Sequence, residues 1–420
     1  MWDPYAEFKT ETLPNGLTLH VAHWPRRSGV AIGILVHSGA RHDPVEREGV
    51  AHFVEHVVFE NATVTRKEIE QHIKACGGKT NGLAGTDYSA TDYNFFVPAE
   101  VPLLTNLLNV YGHMLLNAIL ERCVEREREI IIGEFNTTYP MEFAVDFAKR
   151  RQQAIYNAHW RGRFFDQTGR PDSVQCTTQE NLQMFYDAHY VPANISVVCV
   201  GGLTLRDAMR LFSRSPFGVD KAGERIALPT PLHTFLSPTE NEYRVSMSEY
   251  LRKKETTRTA SYESAAVLPG CLSIQALDVV EGMLREVLAD EVRERRGWTY
   301  SIEPSFDPLG DICDFSISCD ALKIKALDDV EKVVNECIDS LSSREDLFRR
   351  IRDENVQEKC LLDSTVQSVC DGALRDLTLE HRISPVAEDI EELRALTMDD
   401  IHAVLSWITP ERRWTRFVEP

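Results

Sequence analysis

The most informative segment of this 420-residue sequence is an apolar stretch that carries two histidines and one glutamate. It reads Gly49-Val50-Ala51-His52-Phe53-Val54-Glu55-His56-Val57-Val58-Phe59. Residues three and four positions apart share one face of an α-helix, so His52 and His56 can direct imidazole nitrogens at one metal ion. Glu55 would stand beside that metal, where a general base for a bound water is needed. The apolar neighbours predict a buried helix and argue against two histidines on a solvated face.

A catalytic metal site of this kind needs a third protein ligand, and the segment from Glu125 to Phe135 offers candidates. Glu127 and Glu134 are seven residues apart, which is two helical turns, and therefore share a face. One of them can bind the metal while the other accepts a hydrogen bond from a ligand imidazole. From the residues alone, ion pairs on a solvated helix remain an alternative explanation of the glutamates.

The composition is that of an ordinary globular protein, with 43% apolar and 26% charged residues. Its length predicts two or three domains. The formal charge of −19 argues against nucleic acid or an anionic membrane as a partner. No apolar run approaches the roughly 20 residues of a membrane span, and the first residues lack the pattern of a secretory signal. The ten cysteines include no Cys-x-x-Cys and predict reduced thiols in a cytoplasmic protein.

A weak internal repeat predicts two copies of one domain. A capped helix that begins at Thr178, a proline at position 192 and a strand recur as a capped helix from Thr397, a proline at 410 and a strand. The offsets of 219 and 218 residues are about half the chain. Because strands precede blocks of helices, the fold class predicted for each copy is α+β. We expect a catalytic metal-binding domain at 1–216, a linker at 217–238 and a second copy at 239–420.

The segment from Gly49 to Glu134 resembles the inverzincin peptidases of the pitrilysin family. Relatives in that family include insulin-degrading enzyme, the mitochondrial processing peptidase and small bacterial processing-peptidase-like proteins. The His-x-x-Glu-His helix, the Gly77-Gly78 turn followed by Asn81, and the Glu-Arg-Glu-Arg run that leads to Glu134 follow the order seen in the family. The resemblance implies an α+β fold of two tandem domains, each an antiparallel sheet with helices, which together form half of a clamshell.

The same resemblance assigns the residues of the metal site. His52, His56 and Glu134 match the ligands of one Zn²⁺ per chain, Glu55 matches the general base, and Glu127 matches the carboxylate behind the ligands. The second copy has no His-x-x-Glu-His motif, since the corresponding stretch at 276–284 contains no histidine.

Three further positions follow from the resemblance and concern the substrate. Arg293 and Tyr300 match an Arg-x6-Tyr segment whose side chains contact the substrate peptide and stabilise the tetrahedral intermediate; both are suitable donors for an oxyanion. The bare sequence favours a helix-terminal cation for Arg293 and a strand residue for Tyr300. Relatives often have Asn-Ala on an edge strand that pairs with the substrate backbone, and Asn81-Gly82 occupies that place here.

These patterns predict a zinc metalloendopeptidase that acts on peptides or unfolded segments. Members of the family enclose a chamber with four such domains, and this chain supplies two. A homodimer is therefore expected, and a heterodimer with a related subunit stays open. One alternative is a dedicated maturation protease for a ribosomally made precursor peptide that works with a partner subunit. Another is a non-catalytic scaffold subunit of the same fold.

Overall fold

The computed structural model describes residues 2–60, 65–79, 83–120, 123–139, 142–156, 167–221, 223–225, 238–246, 259–361 and 364–419. The strands are β1 (Phe8–Thr12), β2 (Thr18–His23), β3 (Gly29–Val36), β4 (Ala84–Thr86), β5 (Thr91–Pro98), β6 (Ile195–Gly201), β7 (Glu242–Ser246), β8 (Ala260–Pro269), β9 (Glu303–Pro308), β10 (Ile312–Leu322) and β11 (Trp414–Glu419). The helices are α1 (Val50–Phe59), α2 (Arg66–Ala75), α3 (Val101–Leu116), α4 (Val124–Thr138), α5 (Glu142–Tyr156), α6 (Pro171–Cys176), α7 (Gln179–His189), α8 (Leu205–Arg214), α9 (Ile274–Leu288), α10 (Val330–Leu341), α11 (Glu345–Cys360), α12 (Val366–Leu379), α13 (Val386–Ala395) and α14 (Met398–Leu405). A π-helix, Ala289–Arg295, continues α9. No helix among these residues has the length and apolarity that a membrane span requires.

The chain divides into two compact units. Unit 1 consists of Met1–Met141, Phe164–Leu228 and Asp363–Val386. Unit 2 consists of Glu142–Arg163, Pro229–Leu362 and Ala387–Pro420. Each unit therefore contains one segment that the chain order places in the other half.

Unit 1 is built on a six-stranded mixed sheet with the order β1-β2-β6-β3-β5-β4. Its strands pair antiparallel except for β2 and β6, which are parallel. The central strand β3 is apolar on both sides: Val30, Ile32 and Ile34 belong to the core beneath α1 and α3, whereas Ala31 and Leu35 face α12. A strand buried on both faces reads as a continuous apolar run, which explains the sequence of β3.

Unit 2 repeats this topology in a five-stranded sheet with the order β7-β11-β8-β10-β9. Its parallel pair is β7 and β11, and its remaining pairs are antiparallel. The five strands of this sheet match the last five strands in the sheet of unit 1, position by position. Strand β7 takes the place of β2, β11 that of β6, β8 that of β3, β10 that of β5 and β9 that of β4. The predicted α+β class with two copies of one domain is confirmed, and α9 follows β8 as α1 follows β3.

Two helices are exchanged between the copies. Helix α12 follows α11 in the chain but packs on β3 and β6 of unit 1, while α5 follows α4 but packs on β8 and β11 of unit 2. The compact units are thus not the contiguous stretches 1–216 and 239–420. The middle of the expected linker, residues 226–237, lies outside the described residues, and its role as a linker stays a prediction.

Both exchanged helices make apolar contacts with a sheet, and α5 adds a network of ion pairs. On α12, Val369, Ala373, Leu374 and Leu377 are buried in an apolar layer against the sheet of unit 1. Hydrophobic burial of this kind is the main source of stability where helices pack on sheets.

Helix α5 combines a small apolar contact with ion pairs on the sheet of unit 2. The Arg151 guanidinium donates to Glu263 on β8 and to Asp314 on β10, each at 2.8 Å. Tyr156 donates to the same Asp314, and Arg416 on β11 pairs with Glu263 at 3.0 Å. Because these charged groups are largely shielded from water, they must be paired, and the network specifies how α5 docks.

The apolar contact of α12 can be tested with Leu377→Ala. Removing a side chain that is only 1% exposed should lower the free energy of unfolding by about 2–5 kcal/mol, measured by urea denaturation. Hydrogen exchange of the β3 and β6 amides should accelerate, and exchange in β8 and β11 should stay unchanged. Arg375→Ala, on the exposed side of α12, is the control. Faster exchange in unit 2 alone would contradict the assignment of α12 to unit 1.

Candidate metal centre

The helix that carries the histidines is completely buried and is fixed at its N-terminus. All ten residues of α1 are buried in the core of unit 1. Gly49, which precedes the helix, has φ of +89°, and a Cβ there would lie 2.6 Å from the Thr168 carbonyl oxygen, so glycine is required. The Asp43 carboxylate accepts from the backbone N–H groups of Gly49 and Ala51 at 2.6 and 2.7 Å. Burial raises the pKa of Asp43 to about 8, although these N–H donors favour its ionised form.

Three donor atoms from two helices converge on one point. The Nε2 atoms of His52 and His56 lie 3.2 Å apart. Glu134 of α4 places its Oε2 atom 3.7 Å from Nε2 of His52 and 3.5 Å from Nε2 of His56. The interaction with His56 lowers the pKa of Glu134, whose side chain is 45% exposed and forms the open side of the cluster.

Glu55 lies beside these donors and is buried. Its Oε2 atom is 3.9 Å from Nε2 of His52 and accepts a hydrogen bond of 3.1 Å from the Thr86 hydroxyl on β4. Burial raises the pKa of the Glu55 carboxyl, because removal from water disfavours the charged form. A carboxylate of raised pKa is a stronger base than one in water.

Glu127 orients the ring of His56 from behind. Its Oε2 atom lies 3.2 Å from Nδ1 of His56, and its Oε1 atom accepts from Arg126. Burial opposes ionisation of Glu127, but the hydrogen bonds with His56 and Arg126 outweigh it and lower its pKa. Burial likewise lowers the pKa of His56, yet Glu127 and Glu134 raise it to about 9. With Nδ1 engaged by Glu127, Nε2 faces the other donors.

The spacing of the donor atoms fits a tetrahedral metal ion. Zinc bonds of about 2.0–2.1 Å to nitrogen and oxygen place tetrahedral ligand atoms roughly 3.3 Å apart. The three distances among His52, His56 and Glu134 lie within a few tenths of an ångström of that value, at 3.2, 3.5 and 3.7 Å. Two imidazoles and one carboxylate are also a donor set that suits zinc.

The substrate residues expected from the sequence lie elsewhere or cannot be placed. Arg293 is in the π-helix of unit 2, and its guanidinium carbon lies 4.9 Å from the ring centroid of Tyr300. The two side chains thus meet, and Tyr300 is 78% exposed. The expectation that Tyr300 is a strand residue is not met, since β9 begins at Glu303. Asn81 lies outside the described residues.

Three contributors to the centre were not anticipated from the sequence: Asp43, Thr86 and Arg128. Buried Arg128 donates to the carbonyls of Gln175 and Thr177 at 3.2 and 2.9 Å and lies over the Phe53 ring, so it ties α4 to α1 and to the end of α6. Each of the three acts on residues distant in the chain or across a loop. Local periodicity therefore carries no signal for them.

Comparison with known proteins covers both halves of the chain. The family model described as insulinase, peptidase family M16, matches residues 20–164. The model described as peptidase M16 inactive domain matches residues 177–355. The first match contains all the donor atoms described above, and the second contains Arg293 and Tyr300.

Individual relatives agree with these models. An uncharacterized zinc protease of Mycobacterium leprae is 26% identical over 79% of this chain and 73% of its own length. The probable β subunit of the mitochondrial processing peptidase of Schizosaccharomyces pombe is 25% identical over 53% of this chain and 48% of its own. Among solved structures, a protease from Helicobacter pylori superposes with a TM-score of 0.81 at 18% identity and covers both chains completely.

The anchoring of α1 by Asp43 can be tested with Asp43→Asn. Above about pH 8, where the carboxylate is ionised, the amide offers one acceptor oxygen in place of two, so a buried N–H donor loses its partner. The free energy of unfolding should fall by about 1–3 kcal/mol, with faster hydrogen exchange at Gly49 and Ala51. Asp172→Asn, which alters an exposed aspartate of unit 1, is the matched control. Equal stability of the two variants would mean that Asp43 does not hold the helix.

Proposed function

The chain belongs to peptidase family M16, and on that premise we propose that it is a zinc-dependent endopeptidase that hydrolyses peptides or unfolded segments. The observation that carries the proposal is the convergence of His52, His56 and Glu134, with a buried carboxylate, Glu55, beside them. A set of three ligands leaves a fourth position open, which catalytic zinc sites require.

In this proposal His52, His56 and Glu134 hold the zinc ion. When bound, zinc supplies a Lewis acid that polarises the scissile carbonyl and acidifies a water molecule. Glu55 would accept a proton from the attacking water at its carboxylate and would pass it to the leaving amine. Its burial supports this role, since the raised pKa lets the carboxylate accept a proton readily. Glu127 keeps the His56 ring in place.

Arg293 and Tyr300 are proposed to bind the substrate. A guanidinium and a phenol can both donate to a peptide carbonyl and to the negative charge that develops on its oxygen. The exposure of Tyr300 and its contact with Arg293 support a pair available to a ligand. Asn81 is proposed to lie beside the substrate backbone, as the resemblance implies.

The complete donor set favours an enzyme over a non-catalytic scaffold subunit. A scaffold has no need to bring two imidazoles and two carboxylates together, three of them on a buried helix where unpaired polar groups are costly. A dedicated maturation protease for a ribosomally made precursor peptide, working with a partner subunit, would use the same residues and differs in substrate alone.

We further propose that two copies of the chain form the working enzyme, with a heterodimer as the alternative. The metal donors lie in unit 1 and the Arg293–Tyr300 pair in unit 2. In a symmetric homodimer each zinc would face the Arg–Tyr pair of the other chain, an isologous arrangement.

Substitutions can test whether His52 and Glu134 bind zinc while Glu55 acts only as the proton acceptor. His52→Ala and Glu134→Gln should lose most of the one zinc expected per chain, measured by elemental analysis after reconstitution and desalting. Glu55→Gln should keep the zinc and lose cleavage of an unstructured fluorogenic peptide by about 10²–10⁴-fold, since it removes only the proton acceptor. Glu129→Gln, exposed on α4, should change neither. A wild type without zinc, or an active Glu55→Gln, would refute the proposal.

The shared site can be tested by mixing two inactive variants. One carries Glu55→Gln and the other carries both Arg293→Ala and Tyr300→Phe. After subunit exchange at equal amounts, about half of the dimers are mixed and each has one intact combination, so activity should return to about a quarter of wild type at most. If mass measurements confirm exchange and no activity returns, or if the protein is monomeric in solution, the shared site is wrong.

A further inference from the structure

One arginine joins the two helices of the metal centre from outside. Arg126 lies near the start of α4, and Glu60 follows the last residue of α1. The guanidinium donates through Nε and Nη2 to Oε1 of Glu127, at 3.0 and 2.8 Å. The same Nη2 lies 2.7 Å from Oε2 of Glu60. We name Arg126, Glu60 and Glu127 together the carboxylate clasp.

The clasp differs from an ordinary surface ion pair in the burial of its acids. The side chains of Glu60 and Glu127 are only 13% and 7% exposed, while that of Arg126 is 54% exposed. Surface pairs contribute little because water solvates both charges well. Here Arg126 is the cation shared by two carboxylates that water barely reaches. Removing the guanidinium would take this compensating positive charge away from both carboxylates.

Both oxygens of Glu127 are engaged, one by Arg126 of the clasp and the other by His56. Oε1 accepts from Arg126 and Oε2 engages Nδ1 of His56. The carboxylate therefore cannot rotate without breaking charge-assisted hydrogen bonds. Groups that fix a ligand imidazole from behind commonly change metal affinity by about 10–100-fold when they are altered.

We propose that Arg126 and Glu60 are positioning residues of the metal centre: they lock Glu127 against His56 and hold α1 and α4 at the spacing that retains the metal. The inference rests on the proposed zinc site and adds to it two residues that slow the dissociation of the zinc ion. Neither residue is one of the proposed ligands, so they act through the position of Glu127 and through the spacing of the two helices.

The test is the rate at which zinc leaves the full-length protein. Zinc-loaded wild type, Arg126→Gln, Arg126→Lys and Glu60→Gln are mixed with an excess of a chromogenic chelator, and zinc release is followed by absorbance. Arg126→Gln should release zinc about threefold to tenfold faster, a part of the effect expected for Glu127 itself. Arg126→Lys should release zinc at a rate between those of wild type and Arg126→Gln, because lysine keeps the positive charge but lacks the forked set of N–H donors.

Arg210→Gln is the matched control, since Arg210 is half-exposed in unit 1 and pairs with Asp207 at 2.9 Å away from the described contacts of the centre. It should release zinc at the wild-type rate. The visible spectrum of the cobalt(II)-substituted protein should change in Arg126→Gln and not in Arg210→Gln, because that spectrum reports ligand geometry and not stability. Melting temperatures of the metal-free proteins identify any general loss of fold.

The possible outcomes distinguish a failure of the proposed zinc site from a failure of the proposed role of the carboxylate clasp. If wild type retains no zinc, the proposed function fails and the inference fails with it. If wild type binds zinc while Arg126→Gln matches it in release rate and cobalt spectrum, the clasp alone is overturned. Equal acceleration in Arg210→Gln would also overturn the clasp, since any lost ion pair would then have the same effect.

Discussion

The metal centre depends on one constraint: a helix that is completely buried carries two histidines and a glutamate into an apolar core. Polar atoms in such a place are stable only when they are paired. His56 is paired by Glu127, Glu55 by Thr86, and the start of the helix by Asp43. The Nε2 atoms of His52 and His56 face Glu134 at the open side. A metal ion with three protein ligands would complete the pairing, which ties the stability of the core to the chemistry that we propose.

Two copies of one topology carry different side chains at corresponding places. In unit 1 the helix after the central strand carries the donors, whereas α9 in the corresponding place has no histidine. Unit 2 instead ends α9 in a π-helix that brings Arg293 against Tyr300. Single π-helical turns occur frequently at functional sites. The two units share one strand order, but the helix that follows the central strand carries different side chains in each unit and ends differently.

The sequence predicts those features of the site that depend on the spacing of residues along one helix. Positions 52, 55 and 56 share a face on any helix, and positions 127 and 134 do the same, so their meeting on α1 and α4 could be expected. The repeat is visible in the sequence because a capped helix, a proline and a strand follow one another in both copies. The exchange of α5 and α12 was not visible, since amphipathicity shows that a helix has a buried face but not which sheet covers it. Asp43, Thr86 and Arg126 act through contacts across loops or between helices, which no periodic pattern encodes.

The central claim, that His52, His56 and Glu134 form a zinc site, is tested most directly by X-ray absorption at the zinc edge of the loaded protein. We expect a shell of nitrogen and oxygen atoms at about 2.0–2.2 Å with the outer scattering of two imidazoles. The imidazole contribution should fall to one in His56→Ala if any zinc is retained. A sulfur ligand at about 2.3 Å, supplied by one of the ten cysteines, or a shell without imidazoles would contradict the account.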